Sequence, residues 1–418
     1  MLKRSLAVFT ILSLAGVLHA QEPAVVIGSG DPEKDVPAVQ AAIDRGGAVV
    51  LRGAFNFGER GRVTIRRDVS ISGEPGPSHD RTRGTTIKGG FWTFFSPPPA
   101  GLQAGQVGPQ ISIRNLHFDG ALWAPINIAH ARGVTVGGNR ITNVRPHPLP
   151  LPNIPDGYVQ QGIVCGSRWA QEDPTKRKYL PNVVSGPVMI AENEIDLTAP
   201  EPSKTLAQGI WVMWTTGIDA YVGRNRISGV SRNSIETIDN YQGAGGKGRV
   251  RIEGNTITTP HSGIPLPTPA TPNGIVVGFF VDPDAAVDPS RNIRYEVQGN
   301  VIEVRGNTSL GIAVFSDGAA VRDNTVSASG TDAQAIYVAS SNGEVVSNTL
   351  QGTGKAAIAV VPFRAMTARA NRLADNDMKQ FEASEAHARF AQGSGNNVCT
   401  GNHGLLKVID LGSSNRCP

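Results

Sequence analysis

The chain predicts an all-β fold, a single-stranded right-handed parallel β-helix, and three observations carry that prediction. An asparagine phrase recurs eight times, an isoleucine phrase alternates with it, and the composition favours short strands joined by tight turns. Glycine supplies 49 of the 418 residues and aromatics only 6%, which suits a turn-rich β protein better than a helical one.

The first phrase is an apolar residue, two intervening positions, Asn, one position and an aliphatic residue. It centres on Asn139, Asn193, Asn225, Asn255, Asn300, Asn324, Asn348 and Asn371. The flanking pairs run from Val136 and Ile141 at the first copy to Ala368 and Leu373 at the last. In the second phrase an Ile, commonly after Gly or Ala, is followed two residues later by another inward-type residue. It begins at Ile126, Ile163, Ile210, Ile235, Ile275, Ile312, Ile336 and Ile358. Period-two alternation marks a strand with one buried face. The phrases take strict turns, so each pair is one coil of a solenoid. The last three Asn intervals are 24, 24 and 23 residues, enough for two or three strands, whereas helical repeats need more and a leucine-rich framework is absent. Asn suits a corner between strands because it tolerates left-handed backbone and its amide can bond to adjacent coils. These asparagines are therefore read as structural.

A solenoid with open ends exposes unpaired strand edges, so a cap is expected at each. Asp35 is expected to N-cap a short helix, with Pro37 in its first turn and Gly46-Gly47 ending it, before a strand from Ala48 to Leu51. This opening, D-V-P-A-V-Q-A-A-I-D-R-G-G-A-V-V-L-R-G from Asp35 to Gly53, resembles the N-terminal cap of the pectate-lyase-like superfamily of right-handed parallel β-helices. With the repeats, the resemblance covers Ala24 to Asn376 and is specific for fold rather than for activity. The chain is accordingly expected to divide into a signal peptide at 1–20, a capped β-helix at 21–376 and a C-terminal cap at 377–418.

The signal peptide rests on Lys3 and Arg4, the apolar run Ser5 to Val17, and Leu18-His19-Ala20 before the expected cleavage. A secreted or periplasmic monomer is expected, with no membrane association after cleavage because no later apolar run is long enough to span a bilayer. The net charge of +4, or +2 without Lys3 and Arg4, gives no reason to expect a nucleic-acid partner. Cys399 and Cys417 bracket the tail and are read as a disulfide, leaving Cys165 as a buried thiol.

The site follows from where the coils lengthen. From the Ile to the next Asn the count is 12 for Ile312 and Ile336, but 30 for Ile163, 20 for Ile235 and 25 for Ile275. Proline-rich insertions, Pro146 to Pro155 and Pro260 to Pro272, are expected to wall a groove over these coils. Residues after each inward Ile should face outward, placing Trp211, Met213 and Trp214 on one coil and Glu236 and Asp239 on the next. Trp211, Met213, Trp214, Tyr241, Arg168 and Trp169 are the candidate substrate-binding residues, and Glu236 and Asp239 the candidate catalytic acid and base. Flat rings beside carboxylates suit a polysaccharide or oligosaccharide partner. In the alternative, the tryptophans pack as a satellite core and Glu236 meets an arginine.

The resemblance implies several enzyme classes, but their signatures fail. The Asn-Thr-Asp, Asp-Asp and Gly-His-Gly motifs of polygalacturonase-type hydrolases are absent, as is the Asp-Pro-His of alginate epimerases, for which Arg145-Pro146-His147 is no substitute. No metal ligand set is assigned; calcium enters only if the chemistry is that of a lyase. The sequence thus predicts a carbohydrate-active β-helix, lyase or hydrolase, with a non-catalytic glycan-binding or structural protein as the alternative.

Overall fold

The computed structural model describes residues 22–74, 84–100, 102, 106–149, 156–166, 184–198, 204–246, 248–259, 272–279 and 286–417. The chain forms a right-handed parallel β-helix. One sheet of 13 strands runs the length of the solenoid, from Ala24–Ile27 through Arg249–Glu253 to Val398–Thr400. A second sheet bends around a corner and supplies two more ladders. Its first passes through short strands such as Arg226–Ser228 and Thr256–Thr258. The other passes through Thr205–Met213, Asn233–Ile238, Asn273–Gly278 and Leu310–Phe315.

Every isoleucine of the second phrase stacks on its counterpart. Ile126 pairs with Ile163, Ile163 with Ile210, Ile210 with Ile235, and the column continues through Ile275, Ile312 and Ile336 to Ile358. All are buried in one continuous core. From Ile163 onward, the small residue before each Ile is the corner of the second sheet. A Cβ on Gly274 would lie 2.4 Å from the Gly311 carbonyl oxygen and 2.5 Å from Ile302 Cγ2, so only the smallest side chains let the coil turn there.

The asparagines form a buried ladder. Each side-chain amide donates to the next side-chain oxygen at 2.9 or 3.0 Å, from Asn139 through Asn193, Asn225, Asn255, Asn300, Asn324 and Asn348. Two features differ from the sequence reading. The rung after Asn348 is Asn376, which passes on to Asn402. Asn371 belongs to a second ladder with Asn397 and Asn415 on another corner. Leu373 accordingly stacks on Val345 rather than Leu350, because the apolar–Asn–aliphatic spacing recurs five residues later as Leu373, Asn376 and Met378. Left-handed backbone, moreover, falls on the residue before each ladder Asn: Gly138, Glu192, Arg224, Gly254, Gly299, Asp323, Ser347 and Asp375 all have φ between 53° and 66°. The Asn supplies the hydrogen bonds and its predecessor takes the strained turn.

The ends also differ in detail. The capping helix is Pro32–Arg45, N-capped by Asp31, whose side chain accepts from the Glu33 N–H. Pro32 at its first position, not Pro37, is the residue that fits a helix start. Asp35 lies inside the helix, buried, where its carboxylate accepts from the N–H groups of Ser29, Gly30 and Asn56 and from the Ser29 hydroxyl. Beyond residue 376 the coils continue: Asp377–Phe390 pairs with Thr349–Val360, and Val398–Thr400 and Val408–Asp410 extend two ladders. A disulfide joins Cys399 to Cys417 with Cα atoms 4.6 Å apart. The signal segment lies outside the described residues.

Replacing Asn300 by Ala strips partners from the Asn255 N–H and the Ile252 carbonyl, among others, and is expected to cost about 3 kcal/mol, given roughly 1–3 kcal/mol per stranded buried group. A urea midpoint within error of wild type would contradict this. Burial, foremost, also pushes the imidazoles of His117, His130 and His147 below the usual 6.5. Their neutral forms favour the fold, so stability from this source is full above the unfolded value and falls as the pH drops through it. The expected outcome is a lower denaturation midpoint at about pH 5 than at about pH 7.5, attenuated when the three residues are replaced by Gln.

Candidate functional site

The corner glycine has a consequence for which side chains face outward. Because the chain turns at the residue before each Ile, the residue two before it points out beside the residue just after it. Two columns therefore stand side by side on the outer ladder, the first mostly polar and the second mostly apolar. One reads Gln161, Gln208, Asn233, Asn273, Leu310 and Gln334; the other reads Val164, Trp211, Glu236, Val276, Ala313 and Tyr337. The first column was missed by the sequence reading, although a polar residue at a fixed offset before Gly-Ile, Ser-Ile or Ala-Ile is visible in five of the six copies.

From Asn233 and Glu236 onward both columns line a cleft of about 520 Å³ that begins at Arg232 and Glu236 and ends at Lys355, Phe363 and Arg364. It lies C-terminal to the predicted groove, over the coils of Ile235, Ile275, Ile312 and Ile336. Its floor is apolar, through Val276 and Ala313. Its far wall is aromatic: Phe315 meets Phe363 at 5.2 Å and Tyr337 at 5.8 Å between ring centroids. Arg364 lies over the Phe363 ring at 5.0 Å. Lys355 is shared between Asp332 at 3.6 Å and Glu385 at 3.4 Å. Burial pushes the Tyr337 phenol up to about 12, against the pull of Arg389.

Glu236 stands at the near end, 5% exposed. Its Oε2 accepts from Gln208 Nε2 at 2.6 Å and Asn233 Nδ2 at 2.8 Å. Its partners are thus amides and not an arginine. Asp239 is placed differently, with no exposure at all. It sits at the strand end with φ 52°, its N–H donating to the Gly278 carbonyl and its own carbonyl accepting from the Trp214 N–H. The fourth position after the Ile is a corner, not a continuation of the outward face, and Asp tolerates the left-handed turn required there. Glu236 and Asp239 are therefore not brought together in the cleft.

The predicted sugar-binding residues have other surroundings. Met213 and Trp214 are buried, and Trp211 packs both on the main core and on a satellite cluster of Trp123, Val159, Val164 and Leu206. Trp211 and Trp214 meet edge to face at 5.8 Å. Tyr241 lies between Phe279 and the Arg291 guanidinium. None of these four lines the cleft. Arg168 and Trp169 lie outside the described residues, as do most of the proline-rich insertions. Cys165 is fully buried, and burial raises its thiol to about 12, which leaves it inert. Among the described residues no group of three His, Cys, Asp or Glu side chains is placed to hold a metal ion.

Fold and cleft together define a right-handed parallel β-helix with a ligand-sized cleft on one outer ladder. Among solved structures, the A-module of mannuronan C-5 epimerase AlgE6 from Azotobacter vinelandii aligns with a TM-score of 0.50 and 13% identity, covering 92% of this chain and 95% of that one. The Dettilon tailspike protein aligns at 0.39 and 12%, covering 93% and 68%. DFA-IIIase from Arthrobacter chlorophenolicus A6 aligns at 0.36 and 12%, covering 92% and 93%. At these identities the first likeness shows the fold alone. No family model matches the chain, and no curated protein matches it.

An ultraviolet pH titration of wild type against Tyr337→Phe should show that the lost phenol titrates near 12, above the usual value of about 10. Loss of an ordinary phenol instead would mean that Tyr337 is open to water and the cleft wall is misplaced.

Proposed function

We propose that this chain is an exported carbohydrate-active protein that holds a polysaccharide in the cleft and acts on it, with Glu236 as the reacting carboxyl group. The observation that carries the reading is the position of Glu236: a carboxylate held rigidly by two amides at the end of a cleft with an apolar floor and aromatic wall. Sugar rings present one apolar face and a rim of hydroxyls, and such a cleft offers partners for both. Lys355 is offset by Asp332 and Glu385, and Arg232 and Arg364 against Glu236 leave a small excess of positive charge in the cleft, which favours a uronate-bearing chain over a neutral one. The fold likeness to a mannuronan epimerase module is consistent with that substrate class by analogy only.

Lyase-type chemistry fits the cleft better than hydrolysis. Glycoside hydrolysis uses two carboxyl groups roughly 5–9.5 Å apart. The carboxylates lining the cleft among the described residues are Glu236 and Asp332, on coils three rungs apart, about 14 Å along the axis at about 4.8 Å per rung. The same spacing favours a second reading, a glycan-binding protein without turnover.

The test is a screen of the purified protein on uronate and neutral polysaccharides, with and without calcium, following unsaturated products and new reducing ends. Turnover of a uronate polymer is expected, falling at least about 100-fold in Glu236→Gln with an unchanged melting temperature. Binding on a glycan array without any turnover, abolished by Phe363→Ala, would establish the second reading instead. Neither binding nor turnover would end both.

A further inference from the structure

Glu236 lies at the meeting point of two hydrogen-bond chains whose direction is fixed from outside. On one side the Trp123 indole N–H donates to Gln161 Oε1 at 2.8 Å. Gln161 Nε2 then donates to Gln208 Oε1 at 2.9 Å, and Gln208 Nε2 donates to Glu236 Oε2. On the other side the Leu310 backbone N–H donates to Asn273 Oδ1 at 3.0 Å. Asn273 Nδ2 donates to Asn233 Oδ1 at 2.8 Å, and Asn233 Nδ2 donates to Glu236 Oε2.

An amide side chain can face either way, so a closed run of amides alone would leave the direction open. Here both runs begin with a group that can only donate. An indole N–H and a backbone N–H have no acceptor form, so the first amide in each chain must turn its oxygen outward and its NH₂ inward. Each following amide must do the same. Two N–H groups therefore converge on one carboxylate oxygen, and neither can be reversed without stranding a buried donor, at a cost that keeps the chain in one state. Glu236 Oε2 has its accepting positions filled and carries no proton. Both hydrogen bonds to the carboxylate fall on Oε2, and Oε1 belongs to the side chain that lines the cleft.

We propose that these two chains are a positioning device that makes Glu236 an acceptor only, with Oε1 turned to a hydroxyl of a sugar bound in the cleft. Gln208 and Asn233 are its immediate positioning residues, and Trp123, outside the cleft, sets the polarity of one arm. The proposal rests on the glycan reading for the identity of the ligand, but not for the direction of the chains. It also makes a counterintuitive statement about the mildest substitution. In Glu236→Gln the two incoming donors must be met by the amide oxygen, so the NH₂ is forced toward the cleft and the acceptor becomes a donor.

Two experiments decide it. Neutron diffraction from deuterium-exchanged crystals should place deuterons on Nε2 of Gln161 and Gln208 and on Nδ2 of Asn233 and Asn273, with none on Glu236 Oε2. A deuteron on Oε2, or any of these amides reversed, overturns the proposal whatever the protein binds. Calorimetric titration with tetrasaccharides of mannuronate, galacturonate and glucose then tests the consequence. The saccharide that binds wild type should bind Glu236→Gln roughly tenfold to a hundredfold more weakly, as expected for losing a charged hydrogen bond. Gln208→Glu opposes two carboxylates that fit only while they share a proton, so its binding should fade as the pH rises while wild type stays flat; Gln208→Met should be weak at every pH. Equal binding by Glu236→Gln, or a Gln208→Glu profile parallel to wild type, contradicts the positioning role. If no saccharide binds wild type, the glycan reading fails and the neutron map alone judges the relay.

Discussion

The structure depends on the axial hydrogen bond from one buried asparagine to the next. A coil of a parallel solenoid could slide along its neighbour by two residues and still bury alternate side chains. The Asn ladder forbids this, because each amide must meet the oxygen one rung away at 2.9–3.0 Å and a shifted coil would leave several buried polar groups without partners. Once the Asn corner is in register, the strands that follow it are fixed as well. The isoleucine column, the small-residue corner and the two outward columns are then determined coil by coil.

That chain of constraint reaches the candidate site. Glu236 faces the cleft because Ile235 faces the core, and Asn233 reaches it because the chain turns at Ser234. Long loops are not needed to orient the carboxylate. The rigid ladder does it, which is the arrangement expected where a functional group must hold its direction. The outer ladder also changes character along its length. On the N-terminal side of Glu236 it is covered by a satellite core around Trp123 and Val164, and on the C-terminal side it is open. Glu236 marks the boundary between them.

Much of the fold was legible because its two phrases are repeated with fixed offsets, and repetition averages out local ambiguity. The errors came where the period is shared by neighbouring frames. Ala368, Asn371 and Leu373 satisfy the phrase as well as Leu373, Asn376 and Met378 do, and the hydrogen bond from Asn348 to Asn376 and the stacking of Leu373 on Val345 separate them. The site was half legible. Strand alternation correctly puts Glu236 outside, but the alternation cannot be carried through a corner. It misplaced Asp239, whose position is a left-handed turn, and it concealed Gln208 and Asn233, which lie on the far side of the small-residue corner. The choice of Trp211 and Trp214 followed residue type rather than surroundings, and both rings pack on protein.

The most direct measurement of the central constraint is hydrogen exchange of the asparagine side-chain amides in protein labelled with ¹⁵N at Asn. If register is set by the ladder, the Nδ2 protons of Asn193, Asn225, Asn255, Asn300 and Asn324 exchange as slowly as the core backbone amides of their own coils. Exchange at the rate of a solvated amide would show that these side chains are not joined, and that something else holds the coils, and the cleft they build, in place.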